Sequence, residues 1–123
     1  MRTIVILILL TTTVPGMQAQ SIYSSSRIAL YSGLTFDLIS TEVALRAGAR
    51  ESNPILGQNP YRRVGIATGI TVATDLWTRR LKLDGHPKLA TVVNAVAGGI
   101  HFSAGAWNIH VMPRIKTNQR LVE

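Results

Sequence analysis

Cysteine is absent from the 123 residues. That removes disulfides, a thiolate nucleophile, Cys-ligated metal and the Cys that carries a lipoprotein's lipid. Charge is also scarce, 15% of residues against the roughly 25% of an ordinary soluble domain. Hydrophobic residues make up 46%, a bias toward a membrane protein or a tightly packed helical one. Catalytic signatures are missing too. There is no HxxxH, HExxH or carboxylate-rich loop to hold a metal, and no Ser or Thr in a GxSxG context. Phosphate loops and dinucleotide fingerprints are likewise absent. No enzyme activity, metal or cofactor is therefore expected.

What the chain does contain is an uncharged stretch from Leu89 to Met112, without Asp, Glu, Lys or Arg. As a helix rising about 1.5 Å per residue it would measure roughly 36 Å, enough for a bilayer core of about 30 Å. Its small and polar residues are ordered. Asn94, Gly98, His101, Gly105, Asn108 and Met112 alternate steps of four and three, the spacing of one helix face. An amide or imidazole is costly to leave unpaired in hydrocarbon, so this seam must face other protein or water.

The net charge of +7 does not read as a nucleic-acid footprint. Its cations bracket apolar runs: Arg62 and Arg63 before one, Arg79 and Arg80 after it, Arg114, Lys116 and Arg120 at the end. Basic flanks of this kind anchor membrane helices at the headgroups, which makes the lipid bilayer the expected partner.

In chain order, Met1-Arg2 and an apolar run of 12 residues, Thr3 to Val14, are followed by Pro15-Gly16 and Gln18-Ala19-Gln20. This is the layout of a signal peptide cut after Ala19, or of an uncleaved anchor helix. Residues 20–26 read as a polar linker. A helical domain covers 27–112, with a polar basic tail over 113–123. Its first helix, Arg27 to Ala49, has Gly33, Asp37, Ser40, Thr41, Ala44 and Gly48 on one face, with Glu42 and Arg46 spaced to pair opposite. An Asp near the middle of a span costs about 2.5–3.5 kcal/mol on insertion, so this helix needs a partner. Pro54 ends the geometry of Asn53, and Asn59-Pro60 is a cap and first turn for a second helix over Val64–Thr78. That helix carries the pair Gly65/Gly69 and a polar face of Thr68, Thr71 and Asp75. Asp84-Gly85 makes a turn, and His86-Pro87 opens the third helix. The expected fold is all-α, a small three-helix bundle of transmembrane type preceded by the signal or anchor segment. Basic residues fall on both sides of it, so orientation is not decided by charge.

The phrases Phe36-Asp-Leu-Ile-Ser-Thr-Glu42, Gly48-Ala-Arg-Glu-Ser-Asn-Pro54, His86-Pro-Lys88 and Gly105-Ala-Trp-Asn108 together resemble a family of small, uncharacterised bacterial membrane proteins. The family pattern is an Asp and a Thr in a first helix, a Glu-x-Asn-Pro loop, and a late helix with Asn or His. The resemblance covers about residues 30–110. It implies a compact helical membrane bundle and supplies no activity.

Asp37, Thr41, Glu51, Asn53, Asp75, Asn94, His101 and Asn108 are the candidate polar cluster. Gly33, Gly48, Gly65, Gly69, Gly98 and Gly105 are the candidate helix-packing positions. Asp37 against His101 or Asn94 could relay protons or hold a cation. Alternatively, Asn and His fix helix register at about 0.6 kcal/mol per bond. Glu51 and Asn53 can brace their own loop. Three functions follow. The first is a structural or regulatory protein of the cell inner membrane, acting through its own copies or another membrane protein. The second is an oligomeric proton or cation conduit built on Asp37 and His101. The third is an exported helical domain, periplasmic or secreted, in which Asp37 and Asp75 sit on a wet surface.

Overall fold

The computed structural model describes the backbone of residues 15–50 and 55–120 and the side chains of 20–50 and 55–112. Among the described residues are three helices and no strand: α1 (Pro15–Arg46), α2 (Pro60–Leu83) and α3 (Pro87–Arg120). The fold is an all-α, three-helix bundle.

Local chemistry explains the boundaries. The Asn59 side chain accepts from the backbone N–H groups of Tyr61 and Arg62 at 2.9 and 3.2 Å, and Pro60 occupies the first turn, where its missing N–H costs nothing. α2 closes at Asp84, after which Gly85 takes φ +88° and the His86 N–H reaches back to the Leu81 carbonyl at 2.8 Å. Gly48, at φ +98°, ends α1 in the same left-handed manner.

The helices run longer than their apolar cores. Residues 20–26, expected as a polar linker, belong to α1. Here packing overrides the preference of serine for caps. Tyr23 and Ser26 are buried, and the Ser26 hydroxyl donates to the Tyr23 carbonyl at 2.7 Å. Pro15 and Gly16, read as a break, are the first described residues of α1. The rest of the signal or anchor segment, 1–14, lies outside the described residues. The segment read as a tail is helical backbone from 113 to 120, in keeping with the good helix propensity of its Arg, Lys and Gln.

α1 and α3 are parallel to each other, and α2 runs antiparallel to both. Ser26 meets Asn94, Asp37 meets His101, and Thr41 meets Asn108, so both numbers rise together. Against α2 they oppose: Thr78 meets Asn94, and Thr71 meets His101. α1 and α3 form the principal interface because glycine lets their backbones touch. A β-carbon on Gly33 would lie 2.5 Å from the Gly98 carbonyl oxygen, and one on Gly98 2.8 Å from that of Ala29. Gly105 makes room for the Phe36 ring, which stacks in turn on Phe102 at 5.7 Å between centroids.

Burial is inverted relative to a water-soluble bundle. Beside Tyr23, Leu30, Leu34, Ala44 and Ala90 the interior holds the polar residues Ser26, Ser40, Arg63, Thr71, Asp75, Thr78 and Asn94, whereas Ile28, Ile39, Ile70, Leu76, Val96 and Ile100 are exposed. Two stretches, Gln20–Arg46 and Pro87–Met112, are long and apolar enough to cross a membrane by length and composition. α2, read as a third span, is not among them, because Thr, Arg and Asp dilute its apolar content.

Candidate functional site

The polar groups form a column along the bundle axis, built in layers. Asn94, His101 and Asn108 are seven residues apart on α3, two turns each, so they project at successive depths from one face. Asn94 is fully buried. Its Oδ1 accepts from the Thr78 hydroxyl at 3.0 Å, and its amide nitrogen donates to Ser26 at 3.4 Å. That layer ties all three helices together.

His101 forms the second three-helix layer. Its Nδ1 lies 2.8 Å from Asp37 Oδ2, and its Nε2 lies 3.3 Å from the Thr71 hydroxyl. An ionised carboxylate only accepts, so Nδ1 carries the proton. In the neutral ring Nε2 then accepts from Thr71. Both side chains of the pair are about one-fifth exposed. The third layer joins Asn108 to α1. Its amide nitrogen donates to Thr41 at 2.7 Å and to Ser40 at 3.3 Å, and the Thr41 hydroxyl points to Asp37 Oδ1 at 3.4 Å. Asp37, Thr41, His101 and Asn108 are thus one connected set.

Asp75 belongs to a different one. One turn along α2 from Thr71, its carboxylate receives Arg27 at 2.5 and 2.9 Å, the Tyr31 hydroxyl at 2.9 Å and Arg79 at 2.9 Å. Its side chain is only 3% exposed, so this ion cluster clamps α1 to α2 at the end of the bundle farther from Asp37. Reading Arg79 as a flank, and Arg27 only as the start of a helix, concealed both. The signal available was the spacing of Asp75 and Arg79, which is that of a helical ion pair.

Arg63 is likewise drawn inward instead of reaching for headgroups. It bonds the Gly57 and Gln58 carbonyls at 3.4 and 2.8 Å and Glu42 at 3.3 Å, with its side chain 8% exposed. Glu42 also pairs with Arg46 at 3.0 Å, the expected one-turn pairing, but it faces α2 as well. Of the candidate packing glycines, Gly33, Gly98 and Gly105 lie at helix contacts. Gly65 and Gly69 do not: both are exposed, with nothing within 4 Å of a built β-carbon. Gly48 serves the turn after α1. Glu51 and Asn53 lie outside the described residues.

Beside the second and third layers is a cavity of about 850 Å³. Asp37, Thr41, Glu42 and Asn108 contribute polar atoms, while Leu38, Val64, Ala67 and Ala104 contribute apolar wall. Among the described residues no group of three His, Asp or Glu could hold a metal ion. No family model, curated protein or solved structure matches the chain, so the site's chemistry rests on its own geometry.

Proposed function

We propose that this chain is a small integral membrane protein of the bacterial inner membrane, and that all three helices cross the bilayer. Its role is structural or regulatory, exercised through helix contacts with its own copies or with another membrane protein. The observation that carries this reading is the inverted burial, with Asn94, Thr78 and Asp75 inside and Ile39, Ile70 and Ile100 outside. Lipid solvates such an exterior, and the hydrogen-bonded interior meets the requirement that polar groups in hydrocarbon be paired within the protein.

Topology extends the argument to α2. Two parallel spans cannot be consecutive without a segment that returns the chain, and α2 joins the end of one to the start of the other. Its charged Asp75 and Arg63 are paired within the bundle, which removes the objection that its composition raises.

The test is fractionation followed by labelling. Carbonate-washed membranes should retain the protein. Single cysteines at Ser24 and Gly85 should react with an impermeant maleimide from one side, and those at Ala47 and Gln58 from the other. Release by carbonate would establish the exported, water-soluble alternative instead. Crosslinking in native membranes should trap a dimer or a partner, and persistent uncrosslinked monomer would count against the contact role.

The 2.8 Å contact of His101 with Asp37 favours a second reading, an oligomeric proton or cation conduit. One protomer of three helices encloses no pore, so that role requires copies. Flux into proteoliposomes that falls in Asp37→Asn would support it; equal flux in both proteins would reject it.

A further inference from the structure

The cavity between α1, α2 and α3 has a chemistry that the membrane reading does not use. Protein interiors are close-packed, and about 850 Å³ lies within the range of small-molecule sites. We propose that it binds an organic cation: an ammonium group on a compact apolar body.

The apolar body is called for by Leu38, Val64, Ala67 and Ala104, which supply wall and no hydrogen bonds. The sign of the head group follows from where the donors point. The Asn108 amide nitrogen is turned to Ser40 and Thr41, and the Thr41 hydroxyl to Asp37. Arg63 is engaged by Glu42 and by the Gly57 and Gln58 carbonyls. Asn108, Thr41 and Arg63 are thus engaged by the protein, the exposed Tyr61 hydroxyl being the remaining donor of the lining, and the carboxylates of Asp37 and Glu42 line the space. Glu42 is balanced by Arg63 and Arg46. Asp37 has only His101 and Thr41, so it is the one carboxylate of the wall with no arginine or lysine beside it. This occurs in a chain of net charge +7, in which cations outnumber carboxylates. An ammonium placed among these acceptors would gain charge-assisted hydrogen bonds in a partly enclosed space.

The experiment is calorimetric titration of the full chain in zwitterionic-lipid nanodiscs, with empty nanodiscs as the partitioning control. Three probes share one apolar cage: 1-adamantylamine, 1-adamantanol and adamantane-1-carboxylate. The amine should bind saturably and at least tenfold more tightly than either of the others. Asp37→Asn should weaken it tenfold or more, and Ala67→Phe, which fills the wall without altering charge, should abolish the signal. Equal binding of amine and alcohol would mean an apolar slot suited to a lipid tail, and would overturn the proposal. So would preference for the carboxylate, absence of saturable binding, or an Asp37→Asn protein that binds the amine as well as wild type. Carbonate extraction is scored separately, so failure here leaves the membrane reading standing and the reverse also holds.

Discussion

The carbonyl oxygen of Gly98 lies 2.5 Å from where a β-carbon of Gly33 would stand, so α1 and α3 are in backbone contact at that point. Close approach of this kind is what allows Asp37, one turn farther along α1, to reach His101, just under one turn farther along α3.

Gly33→Ala should therefore force the helices apart. Overpacking typically costs about 1–3 kcal/mol, and thermal unfolding of the purified protein in detergent would register it. Gly69→Ala is the matched control. Nothing lies within 4 Å of its built β-carbon, and Ala is the better helix former by up to about 1 kcal/mol, so this variant should be neutral or stabilised. Equal behaviour of the two would contradict the α1–α3 contact.

Coupling between Asp37 and His101 is measurable by a double-mutant cycle with alanine at each. Interhelical hydrogen bonds inside membrane bundles average about 0.6 kcal/mol and reach about 1.7. A charge-assisted bond of 2.8 Å should fall in the upper part of that span. Strict additivity would mean that the two side chains do not interact in the folded protein.

Two carboxylates, Asp75 within α2 and Asp84 at its C-terminal cap, should respond very differently to neutralisation. Asp75→Asn leaves Arg27 and Arg79 without their counter-charge, and breaking a buried pair costs about 3–5 kcal/mol, with partial exposure of the arginines favouring the lower end. Asp84→Asn removes only the exposed pairing with Arg80 and should cost under about 1 kcal/mol. Chemical unfolding of both variants would rank them. A small loss for Asp75→Asn would show that the cluster is dispensable.

The natural absence of cysteine makes site-directed spin labelling direct. Labels at Ile39 and Ile100, each at least 60% exposed, should collide frequently with dissolved oxygen and rarely with a water-soluble nickel chelate. Labels at the buried Ala44 and Ala90 should collide little with either. High nickel accessibility at Ile39 and Ile100 would put that face in water.

Much of this architecture is written locally. Asn59-Pro60 sets the start of α2, and Asp84-Gly85 its end, through hydrogen bonds that span at most a few residues. The step of seven linking Asn94, His101 and Asn108 fixes them to one face of α3 whatever lies opposite, because helical geometry alone decides which residues share a face. Their need for partners follows from the cost of burying an unpaired amide or imidazole.

Partners were decided only by tertiary packing. Periodicity identifies a face but not the face it meets, so Gly65 and Gly69 have the spacing of a contact and yet touch no neighbouring helix, while Gly33 and Gly98, on separate helices, make one. Arg27 and Tyr31 reach Asp75 because α1 and α2 run antiparallel at one particular offset, a long-range relationship that no local pattern encodes, whereas Arg79 pairs with it locally, one turn along α2. Residues 20–26 are helical for a related reason: the pairing of Ser26 with Asn94, 68 positions away, outweighs the local tendency of a serine-rich stretch to leave the helix.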